Sequence, residues 1–474
     1  MGAARLRESA PLVVGGLAYD SARVRPGDLF FCVPGERADG HDFAAGAVER
    51  GAVALVVERP LELDPDVPQL IVGDARAAMA PAADAFFGQP TRELRVAAVT
   101  GTNGKTTTAF LLFAMLAAAT RSSRVGGERR AVERTTPEAI ELQATFREML
   151  DAGDRSCAME ASSHASTLHR LDGVRFACLV LTNLTQDHLD FHGTMEAYFG
   201  AKRRLFVEPD PEGRRPPAAV NIGDPYGRRL ADELRDLGSP PLTFGLTHDA
   251  EIRPEALDVG PDGASLTAAG LRLRTRLLGR FNVENLLAAV AGARVLGLPD
   301  DAIVRGVEHL TGVPGRFEAI DEGQPFTVIV DYAHTPDALA RVLETAREIT
   351  AGGLICVFGC GGDRDRAKRP LMGGTVAELA DGAVITSDNP RSEDPQAIID
   401  EILAGIDRRS DVEVEPDRRL AIRRALAAAL PGDTVVIAGK GHEQGQEQAG
   451  RIVPFSDREE AEDALGGLAA GAPA

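Results

Sequence analysis

The chain has 474 residues, of which 44% are hydrophobic and 26% charged, and its formal net charge is −19. This length predicts roughly three domains with sizeable cores, and the acidic balance argues against nucleic acid or an anionic membrane as main partner. A nucleotide is not excluded, because a few local cations and backbone amides can hold phosphates. No apolar run reaches the roughly 20 residues that cross a bilayer, and the N-terminus has no apolar signal region. We therefore expect a cytoplasmic protein.

Three blocks follow one another along the chain, and we predict that they are domains with the bounds 1–92, 93–314 and 315–474. The first block holds short strand-like runs separated by turns. In the second and third blocks, strands and helices alternate, which predicts an α/β fold with mostly parallel sheets. Ligands of open α/β sheets bind beyond the carboxyl ends of the strands, where the polar clusters of this sequence lie.

The strand-like runs are short and apolar, and in the second block a glycine-rich turn and an apolar helix follow the first of them. The predicted strands are 29–33, 54–57, 70–72, 94–100, 156–159, 177–181, 327–331, 354–358, 383–386 and 434–438, and the predicted helix is 106–119.

The cysteines are five in number, and no two are spaced as a CxxC pair: Cys32, Cys157, Cys178, Cys356 and Cys360. The odd count and the spacing favour neither a disulfide framework nor a zinc knuckle. We expect free structural thiols in a reducing compartment.

The glycine-rich turn has the sequence of a phosphate-binding loop, with Gly101, Thr102, Asn103, Gly104, Lys105, Thr106 and Thr107 between a strand and a helix. Glycines let the backbone approach phosphates, and the helix N-terminus adds partial positive charge. Lys105 is expected to reach the β/γ phosphates, and the Thr106 hydroxyl to bind Mg²⁺. The general pattern has a further glycine five residues before Gly104, where this chain has Val99. An ordinary glycine turn before a helix is the alternative.

Carboxylates and histidines follow the next two predicted strands, at 160–164 and 182–190. Glu160 is a hard oxygen ligand that suits Mg²⁺, and His188 is a candidate for a further ligand or for a residue that orients one. Strand-end residues engaged in ordinary hydrogen bonds are the alternative. A zinc site is a weaker interpretation, because the nearby cysteines lie inside strands.

A series of motifs then spans most of the chain and resembles the Mur ligase family, in particular its members that add meso-diaminopimelate. The motifs, in the family's order, are TGTNGKTTT (100–108), TTPE (135–138), EASSH (160–164), TNLTQDHLDFHG (182–193), YFGAKRRLF (198–206), GRFNVENLLAA (279–289), VPGRFE (313–318), DYAHTPDAL (331–339), GCGGDRD (359–365), DNPRSEDP (388–395) and GKGHE (439–443). The N-terminal segments 19–35 and 39–43 also resemble the family's uridine-nucleotide domain.

The resemblance implies a small N-terminal α/β domain that binds UDP, a central P-loop ATPase-like domain with a parallel sheet, and a Rossmann-like C-terminal domain. It implies that ATP is held by the phosphate loop together with Asn282, Asn285, Arg316 and Asp331. It also implies magnesium ligands at Thr106, Glu160, His188 and Lys202. Lys202 matches the lysine that carries a carbamate in this family, and the carbamate turns a cation into an anion with two oxygens. Without the resemblance, the interpretation of Lys202 is a lysine on a helix surface.

The resemblance further implies a substrate with a UDP-N-acetylmuramoyl dipeptide. The residues expected to hold it are Ser21, His41, Thr135, Thr136, Ser162 and Arg170, with Asp20 a further candidate.

The amino-acid pocket implied by the resemblance consists of Arg364, Asp388, Asn389, Arg391, Gly439 and Glu443. Diaminopimelate differs from lysine by an additional carboxylate, which a guanidinium can pair bidentately, and Glu443 is placed to take the adjacent ammonium. A lysine-adding enzyme has no use for Arg391, and an uncompensated buried ion costs roughly 3–5 kcal/mol. A solvated loop arginine is the alternative at position 391.

Two departures from the family's pattern concern local segments. The stretch 120–134 is short and basic where family members have a longer strand-bearing segment, which affects the surroundings of the dipeptide. After GKGHE the chain continues Gln444-Gly445-Gln446 without the aromatic residue often found there.

The activity that the resemblance implies is the ATP-dependent ligation of meso-diaminopimelate to UDP-N-acetylmuramoyl-L-alanyl-D-glutamate through an acyl phosphate, by a monomer. The partners are these small molecules, ATP and Mg²⁺, with no nucleic acid and no membrane. The alternatives are a lysine-adding relative, a folylpolyglutamate synthetase, against which the N-terminal block and the DNPR motif speak, and a non-catalytic nucleotide-binding homologue. The general base for the amine is open, with His334 as one candidate.

Overall fold

The computed structural model describes residues 5–6, 12–35, 38–120, 122–125, 136–210, 212–260, 263–406 and 411–471. These residues form two compact units. Unit 1 consists of 1–100, 120–180 and 200–218, and unit 2 of 101–119, 181–199 and 219–474.

The N-terminal part of unit 1 is a five-stranded sheet with helices on it. Its elements are β1 (Arg5–Leu6), β2 (Gly16–Ala18), β3 (Asp28–Phe31), α1 (Ala44–Glu49), β4 (Ala54–Val57), β5 (Gln69–Ile71) and α2 (Ala75–Phe86), with 3-10 turns at Ser21–Arg23, Gly40–Phe43 and Pro90–Arg92. The strand order is β1-β5-β4-β3-β2, parallel except for β1. Alternate residues of the strands enter two apolar clusters, one containing Phe30 and Leu55 and the other Phe31 and Val56, so both faces are covered.

The middle of the chain alternates strands and helices. Its elements are β6 (Arg95–Thr100), α3 (Lys105–Ala119), β7 (Ser122–Val125), α4 (Ala139–Asp151), β8 (Ser156–Glu160), α5 (Ser163–Thr167), β9 (Phe176–Leu181), α6 (Leu189–His192) and α7 (Met195–Val207). In unit 1 the strands lie in the order β9-β6-β8-β7, and β8 is parallel to both β6 and β7. Residues Val96 to Val99 of β6 are fully buried, as expected of a parallel strand with both faces covered.

Unit 2 continues with a parallel pair and a separate antiparallel sheet. The elements are β10 (Ala218–Asn221), α8 (Pro225–Asp236), β11 (Leu242–Phe244), β12 (Pro254–Gly260), β13 (Gly263–Ala268), β14 (Leu271–Thr275), α9 (Arg280–Val295) and α10 (Asp300–His309). β10 and β11 are parallel, and β12-β13-β14 form the antiparallel sheet. α3 packs closely on α10, where a Cβ added at Gly306 would lie 2.4 Å from the Cα of Met115.

The C-terminal part of unit 2 is a six-stranded sheet covered on both faces. Its elements are β15 (Glu318–Ile320), β16 (Thr327–Asp331), α11 (Pro336–Ile349), β17 (Leu354–Phe358), α12 (Lys368–Leu379), β18 (Gly382–Ile385), α13 (Pro395–Leu403), β19 (Asp411–Val414), α14 (Arg418–Ala428), β20 (Thr434–Ala438), β21 (Gly445–Gln448), β22 (Arg451–Pro454) and α15 (Asp457–Gly471). The order is β15-β16-β20-β17-β18-β19, parallel except for β15. β21 and β22 form a hairpin.

The α/β class expected from the sequence is confirmed, with two additions. The predicted strands 54–57, 327–331, 354–358 and 434–438 have the observed bounds, and the predicted helix at 106–119 begins one residue earlier. The antiparallel sheet β12–β14 and the β21–β22 hairpin were not predicted, so the fold is less purely parallel than expected. The division at 92/93 and 314/315 stays a prediction. Among the helices that the structure describes, none is long and apolar enough to cross a bilayer.

Candidate functional site

Two glycines let the phosphate loop pack tightly in unit 2. Gly101 has φ 149°, and a Cβ there would lie 1.9 Å from the hydroxyl of Thr182; Gly104 has φ 82°, and a Cβ there would lie 2.1 Å from the side-chain oxygen of Asn285. Both conformation and space therefore require glycine at these positions.

The loop is held in place by the segment that begins at Thr182. The N–H of Thr102 donates to the carbonyl of Asn183 (2.9 Å), and the N–H of Asn103 donates to its side-chain oxygen (2.9 Å). The Lys105 ammonium lies over the loop itself, where Nζ donates to the carbonyls of Gly101 (3.1 Å) and Thr102 (2.8 Å). Thr107 is buried at the start of α3. The loop thus presents a cation and a helix N-terminus at one place.

Residues far along the chain meet this loop within unit 2. Arg316 Nη2 donates to the hydroxyl of Thr106 (3.0 Å), and Asn103 Nδ2 donates to a carboxylate oxygen of Asp337 (2.8 Å) at the start of α11. Thr185 donates to the same oxygen (3.1 Å). The loop is therefore hydrogen-bonded to two residues that lie more than two hundred positions later in the chain.

Arg316 also lines a cavity of about 360 Å³, together with Leu278, Asn282, Pro314 and Phe317. Asn282 and Asn285 are buried and bonded to each other, with Asn285 Nδ2 donating to Asn282 Oδ1 (2.9 Å). A cavity of this volume is within the range of small-ligand pockets.

Asp331 is buried at the end of β16 and shapes the turn beside Arg316. Its oxygens accept the N–H groups of Phe317 (2.6 Å) and Ala333 (2.7 Å). Burial raises the pKa of Asp331, although the charge of Arg316 opposes this. The Arg316 guanidinium also stacks 4.4 Å from the ring centre of Tyr332.

His188 lies at the N-terminal end of α6 with φ 54°, and its Nε2 is 3.2 Å from Asp187. Burial opposes ionisation of Asp187, but His188, His334, Lys105 and Lys368 outweigh it and lower the pKa of this carboxyl. Asp187 is thus an anion near the Lys105 and Lys368 cations in unit 2.

His334 follows β16 and is held in one orientation. Its Nδ1 donates to the carbonyl of Tyr332 (2.9 Å), and its own carbonyl accepts from Lys368 Nζ (2.8 Å). Burial and then the nearby Lys368 charge lower the pKa of His334 to about 4. The imidazole is therefore neutral at physiological pH, with Nε2 as the unprotonated nitrogen.

Glu160 and Lys202 belong to unit 1. Glu160 ends β8 and is partly buried. Lys202 is only 2% exposed, and its Nζ donates to the hydroxyl of Thr100 (3.4 Å), the residue just before the phosphate loop. The helix-surface interpretation of Lys202 is therefore wrong.

Three of the predicted dipeptide residues lie together in unit 1. The Thr136 hydroxyl donates to the Ser162 hydroxyl (3.3 Å), and Arg170 Nη1 donates to the Thr136 carbonyl (3.1 Å). Arg170 and Arg76 both pair with the buried Glu138, at 2.9 and 3.3 Å. Thr135 and most of the short segment 120–134 lie outside the described residues.

The other predicted dipeptide residues are in the N-terminal part of unit 1. Ser21 begins a 3-10 turn capped by Asp20. His41 has a fully buried side chain, and its Nδ1 donates to Asp39 (2.6 Å) while its Nε2 accepts from the N–H of Glu58 (2.9 Å). Both ring nitrogens of His41 are thus used by the fold, so any contribution to binding is through the backbone around it.

A compact polar cluster joins the ends of β18 and β20 in unit 2. Asn389 Nδ2 donates to Glu443 (2.8 Å), and the fully buried Lys440 donates to Asn389 Oδ1 and Glu443, both at 3.0 Å. Gly439 has φ 119°, and a Cβ there would lie 2.9 Å from Asp388. Burial raises the pKa of Asp388, whereas Lys440 and Asn389 outweigh burial and lower that of Glu443.

The two predicted arginines flank Gly361 beside this cluster. A Cβ at Gly361 would lie 3.0 Å from Arg391 Nη1 and 3.8 Å from Arg364 Cγ. Arg391 donates from Nη1 to the Gly362 carbonyl (2.7 Å) and from Nε to Glu447 (3.1 Å), while Arg364 is exposed. Arg391 is thus an ordered, partly buried cation and not a freely solvated loop residue.

The five cysteines all lie in the described part of the chain. All five are buried and free, and burial raises the pKa of Cys32, Cys178, Cys356 and Cys360 to about 12. Within the described ranges no group of three or more histidine, cysteine or acidic side chains converges on one point. The expectation of free structural thiols is confirmed.

Comparisons with known proteins cover nearly the whole chain. Residues 13–87 match the catalytic domain of the Mur ligase family, 99–293 the Mur ligase middle domain, and 315–441 the Mur ligase glutamate ligase domain. The chain belongs to the Mur ligase family.

Three relatives of this Mur ligase, two curated proteins and one solved structure, carry the same name. The UDP-N-acetylmuramoyl-L-alanyl-D-glutamate–2,6-diaminopimelate ligase of Solibacter usitatus is 47% identical, covering 97% of this chain and 95% of its own. The ligase of that name from Geobacter metallireducens is 46% identical, covering 95% and 94%. A solved structure of a ligase of the same name is 35% identical, with a TM-score of 0.67 over 97% of this chain and 96% of its own.

Four further residues of this Mur ligase were not singled out by the sequence. They are Asp337, Lys368, Lys440 and Glu447. Lys440 stands inside the GKGHE motif directly after a strand, so its position was a usable signal. Asp337 sits in a helix's first turn, where an acid is common for helix stability alone. Nothing in the local sequence marks Lys368 or Glu447, because their partners are distant in the chain.

Proposed function

We propose that this Mur ligase joins meso-diaminopimelate to UDP-N-acetylmuramoyl-L-alanyl-D-glutamate at the expense of ATP, in peptidoglycan synthesis. The observation that carries the proposal is the polar cluster after β18 and β20, where the opposite charges of Glu443 and Arg391 belong to one hydrogen-bonded network that runs through Asn389 and Glu447. An amino acid whose far end carries both an ammonium and a carboxylate matches that pair of charges.

The ATP site is proposed at the phosphate loop and the adjoining cavity. Lys105 and the N-terminus of α3 would hold the phosphates, and the cavity lined by Asn282 and Arg316 would take the base. Arg316 supports this placement because it touches both Thr106 and the cavity. Asp331 is assigned an indirect role, since both of its oxygens accept backbone N–H groups.

The dipeptide site is proposed around Thr136, Ser162 and Arg170, which already bond one another through the Thr136 and Ser162 hydroxyls and through the Arg170 guanidinium and the Thr136 carbonyl. Hydroxyls and a guanidinium suit the carboxylates and amides of an acidic dipeptide. Ser21, His41 and Thr135 remain proposed members of this site, with His41 acting through the loop that it holds.

The proposed reaction has two steps. The γ-carboxylate of the D-glutamyl residue attacks the γ-phosphorus of ATP, which forms an acyl phosphate and releases ADP. The amine of meso-diaminopimelate then attacks the acyl carbon, the C–O bond to phosphate breaks, and inorganic phosphate leaves with the peptide bond formed. Lys105 would neutralise charge on the transferred phosphoryl group, and the loop would fix its position.

The amine loses a proton during the second step, and we propose His334 as its acceptor. Its neutral state and its Nδ1 bond to Tyr332 leave Nε2 able to accept a proton. The neighbouring Lys368 and Asp187 would adjust the charge around it.

Magnesium is proposed to bind Thr106, Glu160, His188 and Lys202 once Lys202 carries a carbamate. The fit depends on that modification, because a buried ammonium cannot ligate a cation, whereas a carbamate completes a set of mainly oxygen donors. Bound Mg²⁺ would neutralise phosphate charge. The 2% exposure of Lys202 agrees with a group that is held in place rather than solvated.

The carbamate proposal is tested with Lys202→Ala. The variant should lose ligase activity and recover part of it when short carboxylates are added, because they can fill the vacated anionic position. Full activity without addition, or no recovery with any carboxylate in a variant that is folded by circular dichroism, would contradict the carbamate.

The proposal includes three domains with the bounds 1–92 for UDP, 93–314 for ATP and 315–474 for the amino acid. It places the reaction in the cytoplasm, where free thiols such as those of the five cysteines are stable. We further propose that the enzyme acts as a monomer.

Phosphate release from ATP tests the function as a whole. Release should require both UDP-N-acetylmuramoyl-L-alanyl-D-glutamate and meso-diaminopimelate, and omission of either should reduce it to background. ATP binding without release in the complete mixture would indicate a non-catalytic nucleotide-binding homologue. Release with L-lysine but not with meso-diaminopimelate would indicate the lysine-adding relative.

A further inference from the structure

Arg391 is held by the β21–β22 hairpin at its backbone. Its φ is 52°, a left-handed conformation that non-glycine residues adopt at a cost. Its N–H donates to the carbonyl of Glu447 (3.0 Å), and its carbonyl accepts from the N–H of Ala449 (2.7 Å). The hairpin therefore stabilises a conformation that Arg391 would not favour alone.

The same hairpin also holds the Arg391 side chain. Nε donates to the Glu447 carboxylate (3.1 Å), and Nη1 donates to the Gly362 carbonyl (2.7 Å). Within the described part of the chain, Nη2 has no hydrogen-bond partner. The side chain is 23% exposed and that of Glu447 43%. The guanidinium is thus fixed by the protein at Nε and Nη1, while Nη2 is left for another acceptor.

Strand β21 is bonded to the polar cluster as well. The N–H of Glu447 donates to Asn389 Oδ1 (2.9 Å), and Gln446 Nε2 donates to the Asp388 carbonyl (2.6 Å). Lys440 shares the Asn389 oxygen. Glu447 therefore stands between the cluster that offers Glu443 and the arginine that offers positive charge.

We propose that Glu447 is a positioning residue for acceptor recognition, which holds the Arg391 guanidinium so that its Nη2 group meets the second carboxylate of the amino-acid substrate. The inference rests on the proposed function, and it adds a residue that this function does not require. A free arginine must lose rotamer freedom when it binds, and fixing it beforehand lowers that cost. Glu447 touches Arg391 and is assigned no contact with the reacting atoms.

The test compares steady-state kinetics of the full-length enzyme and Glu447→Ala. The variant should show a KM for meso-diaminopimelate raised by about tenfold, the size of one lost charge-assisted hydrogen bond. Its kcat and its KM for ATP and for the UDP-dipeptide should be retained. Glu447→Gln should recover most of the affinity, because its amide oxygen can still accept from Nε.

Two matched variants complete the design. Glu413→Ala removes a surface carboxylate that also pairs with an arginine, Arg424, in the same part of the chain, and should leave all constants unchanged. In an Arg391→Ala background, Glu447→Ala should not raise the KM for meso-diaminopimelate further, because Glu447 acts only by holding Arg391. If Glu447→Ala does not fold, Glu447→Lys repels Arg391 directly and should raise the same KM.

Each other outcome overturns the inference in a recognisable way. Wild-type enzyme without turnover on meso-diaminopimelate would remove the proposed function and this inference with it. Normal wild-type turnover with an unchanged KM in Glu447→Ala, or additive effects of the two substitutions, would remove the inference alone. Equal losses for all three substrates, without recovery in Glu447→Gln, would assign Glu447 a merely structural role.

Discussion

Gly104 lies at φ 82° with its Cα facing the side-chain oxygen of Asn285, which a Cβ would approach to 2.1 Å. Asn285 in turn bonds Asn282, which lines the cavity beside Arg316. A single added carbon at Gly104 would therefore press on the proposed nucleotide site from behind.

Gly104→Ala should abolish measurable ATP binding by titration calorimetry and, with it, phosphate release. Gly270→Ala is the matched control, because Gly270 has a similar φ of 74° but nothing within 4 Å of an added Cβ. Gly270→Ala should cost about 1 kcal/mol of stability from the backbone conformation alone and leave ATP binding intact. Equal ATP affinity in both variants would show that the clash with Asn285 is unimportant.

His334 should make the stability of the protein depend on pH. Its pKa is lowered from 6.5 to about 4 in the fold, by burial and then by Lys368, so the unfolded chain takes up its proton first. The stability that neutral His334 provides is complete above pH 6.5 and is lost as the pH falls towards 4. His334→Gln should lose less stability than wild type over this interval.

The measurement is the free energy of unfolding of both proteins at the two ends of that interval. The difference between the two pH dependences isolates His334, because the other titrating groups are common to both proteins. Parallel pH profiles would show that the imidazole is not desolvated as the structure indicates.

At the residue scale, the sequence located candidate side chains where a local motif marks them. The position of Lys105 and Thr106 at the end of a loop between a strand and a helix could be predicted, because the three elements are contiguous in the chain. The partners of Arg391 could not, because Glu447 is 56 positions away and its neighbours give no signal. His41 matched a family segment, yet its two ring nitrogens are bonded within the fold.

The elements of the fold were predicted best where a strand is fully buried. β16, β17 and β20 are continuous apolar runs, and their bounds were found from the sequence. β14 was missed although its buried Leu271 and Leu273 alternate with exposed Arg272 and Arg274, which is a usable strand pattern. The β21–β22 hairpin has mostly polar or exposed residues, so hydrophobic periodicity could not reveal it.

The C-terminal elements are tied together by one buried ion pair. Arg418 at the start of α14 and Asp457 at the start of α15 have fully buried side chains and meet at 2.7 Å. Arg418 also donates to the carbonyl of Ala438 (2.9 Å), directly before Gly439. The pair thus fixes α14, α15 and the end of β20, which leads into the polar cluster around Lys440.

Asp457→Asn should lower the free energy of unfolding by about 3–5 kcal/mol, because it leaves the Arg418 charge buried without its partner. Replacing both residues with leucine should cost less than this single change, since no uncompensated charge remains. Chemical denaturation of the three proteins measures both effects. Glu413→Ala, which breaks only the exposed pair with Arg424, is the control and should change little. A mild effect of Asp457→Asn would show that solvent reaches Arg418.

At the scale of the whole molecule, the chain combines a net charge of −19 with local groups of cations where anionic substrates would bind. Lys105, Arg316 and Lys368 all lie in unit 2 near the phosphate loop or Asp187. The net charge argued against nucleic acid and anionic membranes as partners, but it could not locate these cations. Their convergence depends on chain segments hundreds of residues apart, which single-sequence periodicity does not reveal.

The central claim is that this Mur ligase selects an amino acid with a carboxylate at its far end. One competition experiment tests it: the enzyme receives ATP, UDP-N-acetylmuramoyl-L-alanyl-D-glutamate and equal concentrations of meso-diaminopimelate and L-lysine, and mass spectrometry identifies the tripeptide product. The account predicts that almost all product contains diaminopimelate. A product that contains mainly lysine, or an equal mixture of the two, would contradict it.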